Sequence, residues 1–497
     1  VPRSRTSRWR LAACLAALTV VAALAACSSS DGGKPKATQT PLPPLDPRPN
    51  IVFVLTDDLS SNLVPYMPHV RALADAGTSF QNYFVVDSLC CPSRSAIFTG
   101  QYPHDNGVFT NSGSDGGYLA YNRFHNPPKS FGLALQSAGY RTGFMGKYLN
   151  GYQPHDRQAP GWNVWDVAGD GYPEFNYNLN ENGKIVPFGS APRDYLTDVL
   201  AEKATSFIHT SRELGKPFAL EVATFAPHKP LVPAPRDRGT FPTVRDPRTP
   251  AFDHSPRHPP SWLVRQPLSG RDIARLDATF RLRVETVQAV DRMMGAIEAA
   301  LAATGELRNT YIIFSSDNGY HLGEYRLLAG KQTAFDTDIK VPLVVAGPGV
   351  PAGHVVHAMA SSIDLAPTFE QIAGARPTDV PDGVSLLPLL HGGQAPRDWQ
   401  RAVLIEHHGP PMPSSDPDAQ PYRAGIPPSY EAMRTPQFLY VEYATGSREY
   451  YDLTKDPYEL DNLIGSLSHA RRVALHEQLL RLAACHGAAA CQRAARL

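Results

Sequence analysis

Two apolar runs in this chain end in side chains that carry oxygen. Ile51-Val52-Phe53-Val54-Leu55-Thr56 is followed by Asp57-Asp58, and Tyr311-Ile312-Ile313-Phe314-Ser315-Ser316 by Asp317-Asn318-Gly319. Continuous apolar runs of this length suit strands buried on both faces of a parallel sheet. Ligands of open α/β sheets gather at the carboxyl ends of such strands. Four oxygen-bearing side chains arriving there make a hard-cation site, and oxygen-only ligands favour calcium or magnesium over zinc. Either pair alone could equally cap a helix or open a turn; together they point to a metal. Between them stands the adjacent thiol pair Cys90-Cys91. With no second thiol pair nearby its zinc spacing is weak, so a metal-thiolate or redox role ranks last.

The elements that must position these residues follow from periodicity. A helix is predicted near Met67 to Ala76, stopped by Gly77. Another spans roughly Ser130 to Ala138, stopped by Gly139. The longest helical pattern runs from Arg271 to Thr304, with Leu276, Phe280, Val284, Val287, Ile297 and Leu301 near helical spacing and Gly305 after it. A further buried strand is predicted over Val341 to Ala346. Strands alternating with helices imply an α/β sheet with helices on both faces. Residues 229–262 are rich in Pro, Arg and His and read as a long loop of the kind that shapes enzyme pockets. After a second Pro-rich stretch, 409–428, Gln437 to Tyr443 and Arg448 to Asp452 read as a hairpin, followed by a helix from about Ser468 to Ala484. Residues 395–497 form a smaller sheet-plus-helix subdomain in this reading, and 50–394 the main domain.

With 497 residues the chain can hold more than one hydrophobic core. Lys+Arg and Asp+Glu number 47 each, so the formal net charge is zero. That gives no support to a nucleic-acid binder, which shows a basic excess. It also argues against a long electropositive track, while leaving room for a small basic pocket. Residues 1–26 read as a targeting segment: Arg3, Arg5, Arg8 and Arg10, then an apolar run from Leu11 to Ala26. Val1 is read as an alternative start. Leu24-Ala25-Ala26-Cys27 resembles a bacterial lipobox, which implies cleavage before Cys27, a lipid on its sulfur and a site on the outer face of the cytoplasmic membrane. The alternatives are plain secretion after cleavage at Ala26, or an uncleaved anchor, for which the run is short. Residues 27–49 read as a Ser-, Gly- and Pro-rich tether. Cys485 and Cys491, close together in an exported chain, are expected to form a disulfide.

The segment Leu89-Cys90-Cys91-Pro92-Ser93-Arg94, running on to Thr99-Gly100, resembles the signature of the formylglycine-dependent sulfatases. Further matches are Gly146-Lys147, Ala226-Pro227-His228, Ser316-Asp317-Asn318-Gly319, Gly330-Lys331, Asp364-Leu365-Ala366-Pro367-Thr368 and Tyr451-Asp452-Leu453 with Asp456-Pro457, over about residues 50 to 465. The resemblance implies an alkaline-phosphatase-like α/β sandwich. It would have a large central mixed, mostly parallel sheet flanked by helices and a smaller C-terminal antiparallel sheet. It implies that Cys90 is oxidised to formylglycine by a formylglycine-generating enzyme. It also implies one calcium ion held by Asp57, Asp58, Asp317, Asn318 and residue 90. Arg94 would hold the hydrated aldehyde, Lys147 and Lys331 would lie over the sulfate group, and His228 would serve the leaving-group side. Pro92 suits the first turn of a helix, which sets position 90 beside a positive helix end suited to sulfate.

Many members of the family carry His two residues after the first Lys; here that place is Leu149. The run Gly146-Lys147-Tyr148-Leu149-Asn150 and the segment Phe335-Asp336 to Pro342 instead resemble the glucosamine-6-sulfatase branch. The branch implies a 6-sulfated amino sugar, or a related sugar or aryl sulfate, as substrate. His321 is either a substrate contact or a structural His near the metal. Two other functions stay open: a phosphodiesterase or phosphonate hydrolase on the same fold, and an inactive lipoprotein that binds sulfated glycans.

Overall fold

Ten strands form the central sheet, and the sequence of the middle ones explains why they lie in the middle. Strand β1 (Asn50–Thr56) is buried at every residue. It pairs in parallel with β7 (Phe218–Ala223) on one side and β8 (Thr310–Ser316) on the other. Its side chains divide by alternation: Ile51, Phe53 and Leu55 enter one apolar cluster, Val52 and Val54 the other. Each such fully buried side chain contributes about 1.5–3 kcal/mol. The computed structural model describes residues 46–496 apart from 170, 264, 398 and 410–415. The targeting segment 1–26, Cys27 and most of the tether lie outside the described residues. Among the described residues no helix is long and apolar enough to cross a membrane.

The other strands are β2 (Thr78–Phe84), β3 (Arg141–Lys147), β4 (Val164–Ala168), β5 (Asn178–Glu181), β6 (Lys184–Pro187), β9 (Leu343–Ala346) and β10 (His354–Ser361). The order is β10-β2-β9-β8-β1-β7-β3-β4-β5-β6. Strand β9 runs antiparallel to both β8 and β2. A parallel return needs a crossover helix, and the β8–β9 connection contains only the single turn Asp336–Ile339. The helices Pro68–Ala76, Leu196–Glu213 and Gly270–Thr304 cover one face through Val70, Leu200 and Val287. Cys90–Thr99, Phe131–Ser137 and Leu365–Ala373 cover the other through Ile97, Phe131 and Phe369.

A second sheet of four antiparallel strands follows: β11 (Val403–His407), β12 (Tyr430–Arg434), β13 (Phe438–Tyr443) and β14 (Arg448–Asp452). The helix His469–Ala483 packs with it through Leu475 and Leu479, and both belong to the cluster that holds Phe53 and Ile97. The C-terminal sheet therefore shares a core with the central one. Cys485 and Cys491 are disulfide-bonded.

Gly305 ends its helix in the left-handed conformation, φ 77°, as the C-cap argument requires. Gly77 ends its helix for another reason. Its φ is −138°, and a Cβ there would stand 2.2 Å from the Val345 carbonyl oxygen. The absent side chain lets the chain pass β9.

Candidate active site

The strand register brings the two oxygen-bearing pairs together. Thr56 pairs with Ser316, so Asp57 and Asp317 leave the sheet side by side. The Asp317 N–H donates to the Thr56 carbonyl at 3.0 Å. The Asp58 N–H then donates to Asp317 Oδ1 at 3.1 Å. Asp58 itself sits at φ 64°, an uncommon conformation for a non-glycine residue, of the kind that costs about 1–3 kcal/mol and clusters at functional sites. Lys147, the last residue of β3, and His228, in the turn after β7, leave the sheet at the same edge.

Cys90 opens the helix Cys90–Thr99, all of whose residues are buried. Its Sγ lies 3.1 Å from Asp57 Oδ1 and 2.8 Å from Lys331 Nζ. Burial, with Asp418 and Asp57 adding, pushes the thiol well above its ordinary value. A reactive cysteine has the reverse shift. Cys91 joins the apolar cluster.

The predicted cations all reach this pocket. Lys147 Nζ pairs with Asp57 Oδ2 at 2.6 Å, Lys331 Nζ with Asp58 Oδ1 at 2.6 Å, and Arg94 Nε with Asp317 Oδ2 at 2.7 Å. Arg94 also donates to the Lys147 carbonyl at 2.9 Å. Burial opposes the charge on both lysines, but the facing carboxylates outweigh it and hold their pKa values well above the ordinary range. His228 donates Nδ1–H to the Lys229 carbonyl at 2.6 Å and sets Nε2 3.7 Å from Asp58 Oδ2. Burial opposes its protonation too, yet Asp418, Asp57 and Asp58 raise it above the usual imidazole value.

Part of the predicted ligand set gathers in one cluster, with an imidazole beside it, while the Asp317 oxygens are taken by the Asp58 N–H and by Arg94. Ligand atoms of Asp57, Asp58, Cys90 and His228 lie within 4.8 Å of one another. Asn318 Nδ2 donates to Asp58 Oδ1 at 2.8 Å, while its buried Oδ1 has no hydrogen-bond partner among the described residues. Such an orphaned oxygen suits a metal ligand.

His321 turns out to be structural. Its ring is held between Asp338, at 2.9 Å, and the Ala424 carbonyl, at 2.9 Å. Its backbone exchanges hydrogen bonds with Gly330, which fixes the approach of Lys331. Leu149 is buried among apolar neighbours. Beside it opens a cleft of about 360 Å³ lined by Lys147, Leu149, Asn150, Tyr172, Phe225 and Asp416. Three site residues escaped the sequence reading: Asn111, Asn150 and Asp418. Asn150 belongs to the Gly-Lys-Tyr-Leu-Asn run, which could have signalled it; the other two stand in no recognisable pattern.

Comparison with known proteins agrees with this geometry. The Sulfatase family model matches residues 49–375, and that of the N-sulphoglucosamine sulphohydrolase C-terminal region matches 323–484. The N-acetylglucosamine-6-sulfatase of Homo sapiens is 34% identical over 476 residues, 88% of this chain and 85% of the relative. A solved structure of a protein in complex with its substrate D-glucosamine-2-N,6-O-disulfate superposes with TM-score 0.73 at 24% identity, over 88% of this chain and 97% of that one. The phosphonate monoester hydrolase of Agrobacterium radiobacter superposes with TM-score 0.66 at 24% identity, over 88% and 95%. The ten-stranded sheet with its flanking helices is the alkaline-phosphatase-like fold. The chain belongs to the sulfatase family and is a sulfuric ester hydrolase.

Proposed function

We propose that this protein removes sulfate from a sulfated sugar, a 6-O-sulfated N-acetylglucosamine in the first instance, using a formylglycine made from Cys90 and one calcium ion. The observation that carries this reading is the buried convergence of Cys90 with Asp57, Asp58, Lys147, Lys331 and His228. The likeness to the human 6-sulfatase over most of both chains supports the sugar.

Asp57, Asp58, Asp317 and Asn318 would hold the calcium ion, with residue 90 beside them. Calcium bound there polarises sulfate oxygens and favours ionisation of the nucleophile. Converted to formylglycine, position 90 would supply a hydrated aldehyde, whose two hydroxyls would provide the nucleophile and the later release of sulfate. Lys147 and Lys331 place positive charge over the group in flight, where a dry pocket strengthens it. Arg94, tied to Asp317 and to the Lys147 carbonyl, fixes the walls around position 90. His228 carries a proton on Nε2 toward the ester oxygen, so the sugar leaves as an alcohol.

The protein would reach its substrate outside the cytoplasm, anchored through a lipid on Cys27. The name of a relative in Drosophila melanogaster, an extracellular sulfatase, accords with export. Replacing Cys27 by Ala should move the protein from the membrane fraction to the medium.

The decisive experiment is the mass of the tryptic peptide Ala72 to Arg94 from protein made beside a formylglycine-generating enzyme. The reading requires a loss of about 18 Da, the change from thiol to the aldehyde that activates the nucleophile. The same preparation should hydrolyse N-acetylglucosamine 6-sulfate far faster than a matched phosphate or phosphonate ester. An unmodified thiol, where a control sulfatase is converted, overturns it.

A further inference from the structure

A carboxylate from far along the chain stands among the donors of this pocket. Asp418 lies between β11 and β12 and is 2% exposed. Its Oδ1 accepts from His228 Nε2 at 2.6 Å and pairs with Lys331 Nζ at 2.6 Å. Its Oδ2 accepts from Asn111 Nδ2 at 2.6 Å and from Asn150 Nδ2 at 3.1 Å. Oδ1 is 3.9 Å from Cys90 Sγ. Four donors from four separate parts of the chain thus converge on one anion next to the nucleophile position.

That arrangement is what an oxyanion ester needs, and the carboxylate uses it up. A carboxylate offers two acceptor oxygens in a fork, as two oxygens of a sulfate group would, and charged donors make its bonds strong. Asp418 is not placed to orient His228. An orienting carboxylate takes the ring nitrogen remote from the chemistry. Here the Lys229 carbonyl already holds Nδ1, and Asp418 takes Nε2, the nitrogen that faces Asp58. The neighbouring backbone is fastened as well. Lys229 Nζ donates to the Ala419 carbonyl at 2.7 Å, and the Gln420 amide bonds both the N–H and the carbonyl of Lys331, at 3.1 and 3.0 Å.

We propose that Asp418 is a built-in stand-in for the sulfate group. Residues 416–420 then form a strap over the pocket, which a sulfate ester entering from the adjoining cleft must displace. The cleft contains Asp416 and Pro417 of the strap together with Lys147 and Asn150 of the pocket, so the route in passes beside the strap. The strap excludes groups too weakly charged to compete with a carboxylate and keeps the cationic pocket from standing open to them. Binding is weakened by the fraction of molecules in which the strap is closed. This inference rests on the sulfatase reading of the pocket.

The test uses inorganic sulfate as the probe and the full-length converted protein in calcium buffer. Isothermal titration calorimetry compares wild type with Asp418→Asn and Asp418→Ala. Loss of the competing charge should tighten sulfate binding about tenfold or more. Unchanged or weaker binding in folded variants overturns the proposal. Hydrogen exchange on the wild type decides even if neither variant folds: the Lys331 amide, whose N–H donates to the strap's Gln420 side chain, should exchange faster when sulfate saturates the protein. Equal or slower exchange means that Asp418 stays in place, which also overturns the strap. Both readings are taken without turnover, so failure to hydrolyse any sulfate ester would sink the proposed function separately.

Discussion

His228 shows how much chemistry one residue's surroundings decide. Its Nδ1 is committed to a backbone carbonyl and its Nε2 faces the pocket, so a proton it gives up must leave from Nε2. Help of that kind matters in proportion to the basicity of the departing alcohol. His228→Ala should therefore lower kcat on a sugar sulfate by about 10²–10⁴-fold and much less on 4-nitrophenyl sulfate, whose phenolate leaves unaided. Equal losses on both substrates would assign His228 to binding the sulfate group. Asn318 permits a matching test of the metal. Its orphaned Oδ1 is free to coordinate, and Asn318→Ala should weaken calcium binding at least tenfold, about 1.4 kcal/mol, by calorimetric titration. The residues at strand ends were legible in the sequence because short apolar runs ran straight into them. Asp418 was not, since it meets His228 across 190 residues and Asn111 across 307. No local pattern encodes such a meeting; the packing of the whole chain creates it.

The same limit holds for elements. The strands β1 and β8, the long helix to Thr304 and the C-terminal hairpin could all be predicted, because burial on two faces or one imposes a period on the sequence. The antiparallel entry of β9 could not, since its composition suits either direction and what decides is a connection whose helical content is the single turn Asp336–Ile339. Gly146 ties an element to the chemistry. It precedes Lys147 at φ 99°, and a Cβ there would stand 1.9 Å from the Ala223 carbonyl oxygen. Its pairing with Lys147 was visible as a motif, but the physical reason is this approach of β3 to β7. Gly146→Ala must push the two strands apart or strain the backbone, at a cost of about 1–3 kcal/mol. It should lower Tm and move Lys147 off the pocket, so that kcat falls while the Cys90 peptide is still converted. Full activity with a lowered Tm would show that the sheet absorbs the shift before it reaches Lys147.

At the scale of the whole molecule, the balanced composition hides an interior rich in buried acids. Burial raises Glu174, Glu221 and Asp246 to about 8, and Glu370 and Glu449 to about 7. A carboxyl whose folded pKa lies above its unfolded value, near 4.3 for Glu and 3.9 for Asp, holds a proton in the native state that the unfolded chain has released. Native protein then binds more protons between those two values, and stability falls as pH rises through them. His104 acts in the same direction. Burial opposes its charge, but Glu406 raises it to about 9, so its contribution is lost as pH climbs through that value. Only on the acid side does His407 oppose them. Buried and lowered to about 3, it costs stability as pH falls below the ordinary imidazole value. Thermal unfolding in calcium-free buffer should therefore show a higher Tm near pH 6 than near pH 8.5. Glu449 accepts hydrogen bonds from Tyr443 and Tyr451, and Glu449→Gln keeps a neutral acceptor there. That variant should flatten the alkaline part of the profile, because one of the protons released on unfolding is gone. A Tm that rises toward pH 8.5 would mean that the buried acids are ionised and paired in the native state.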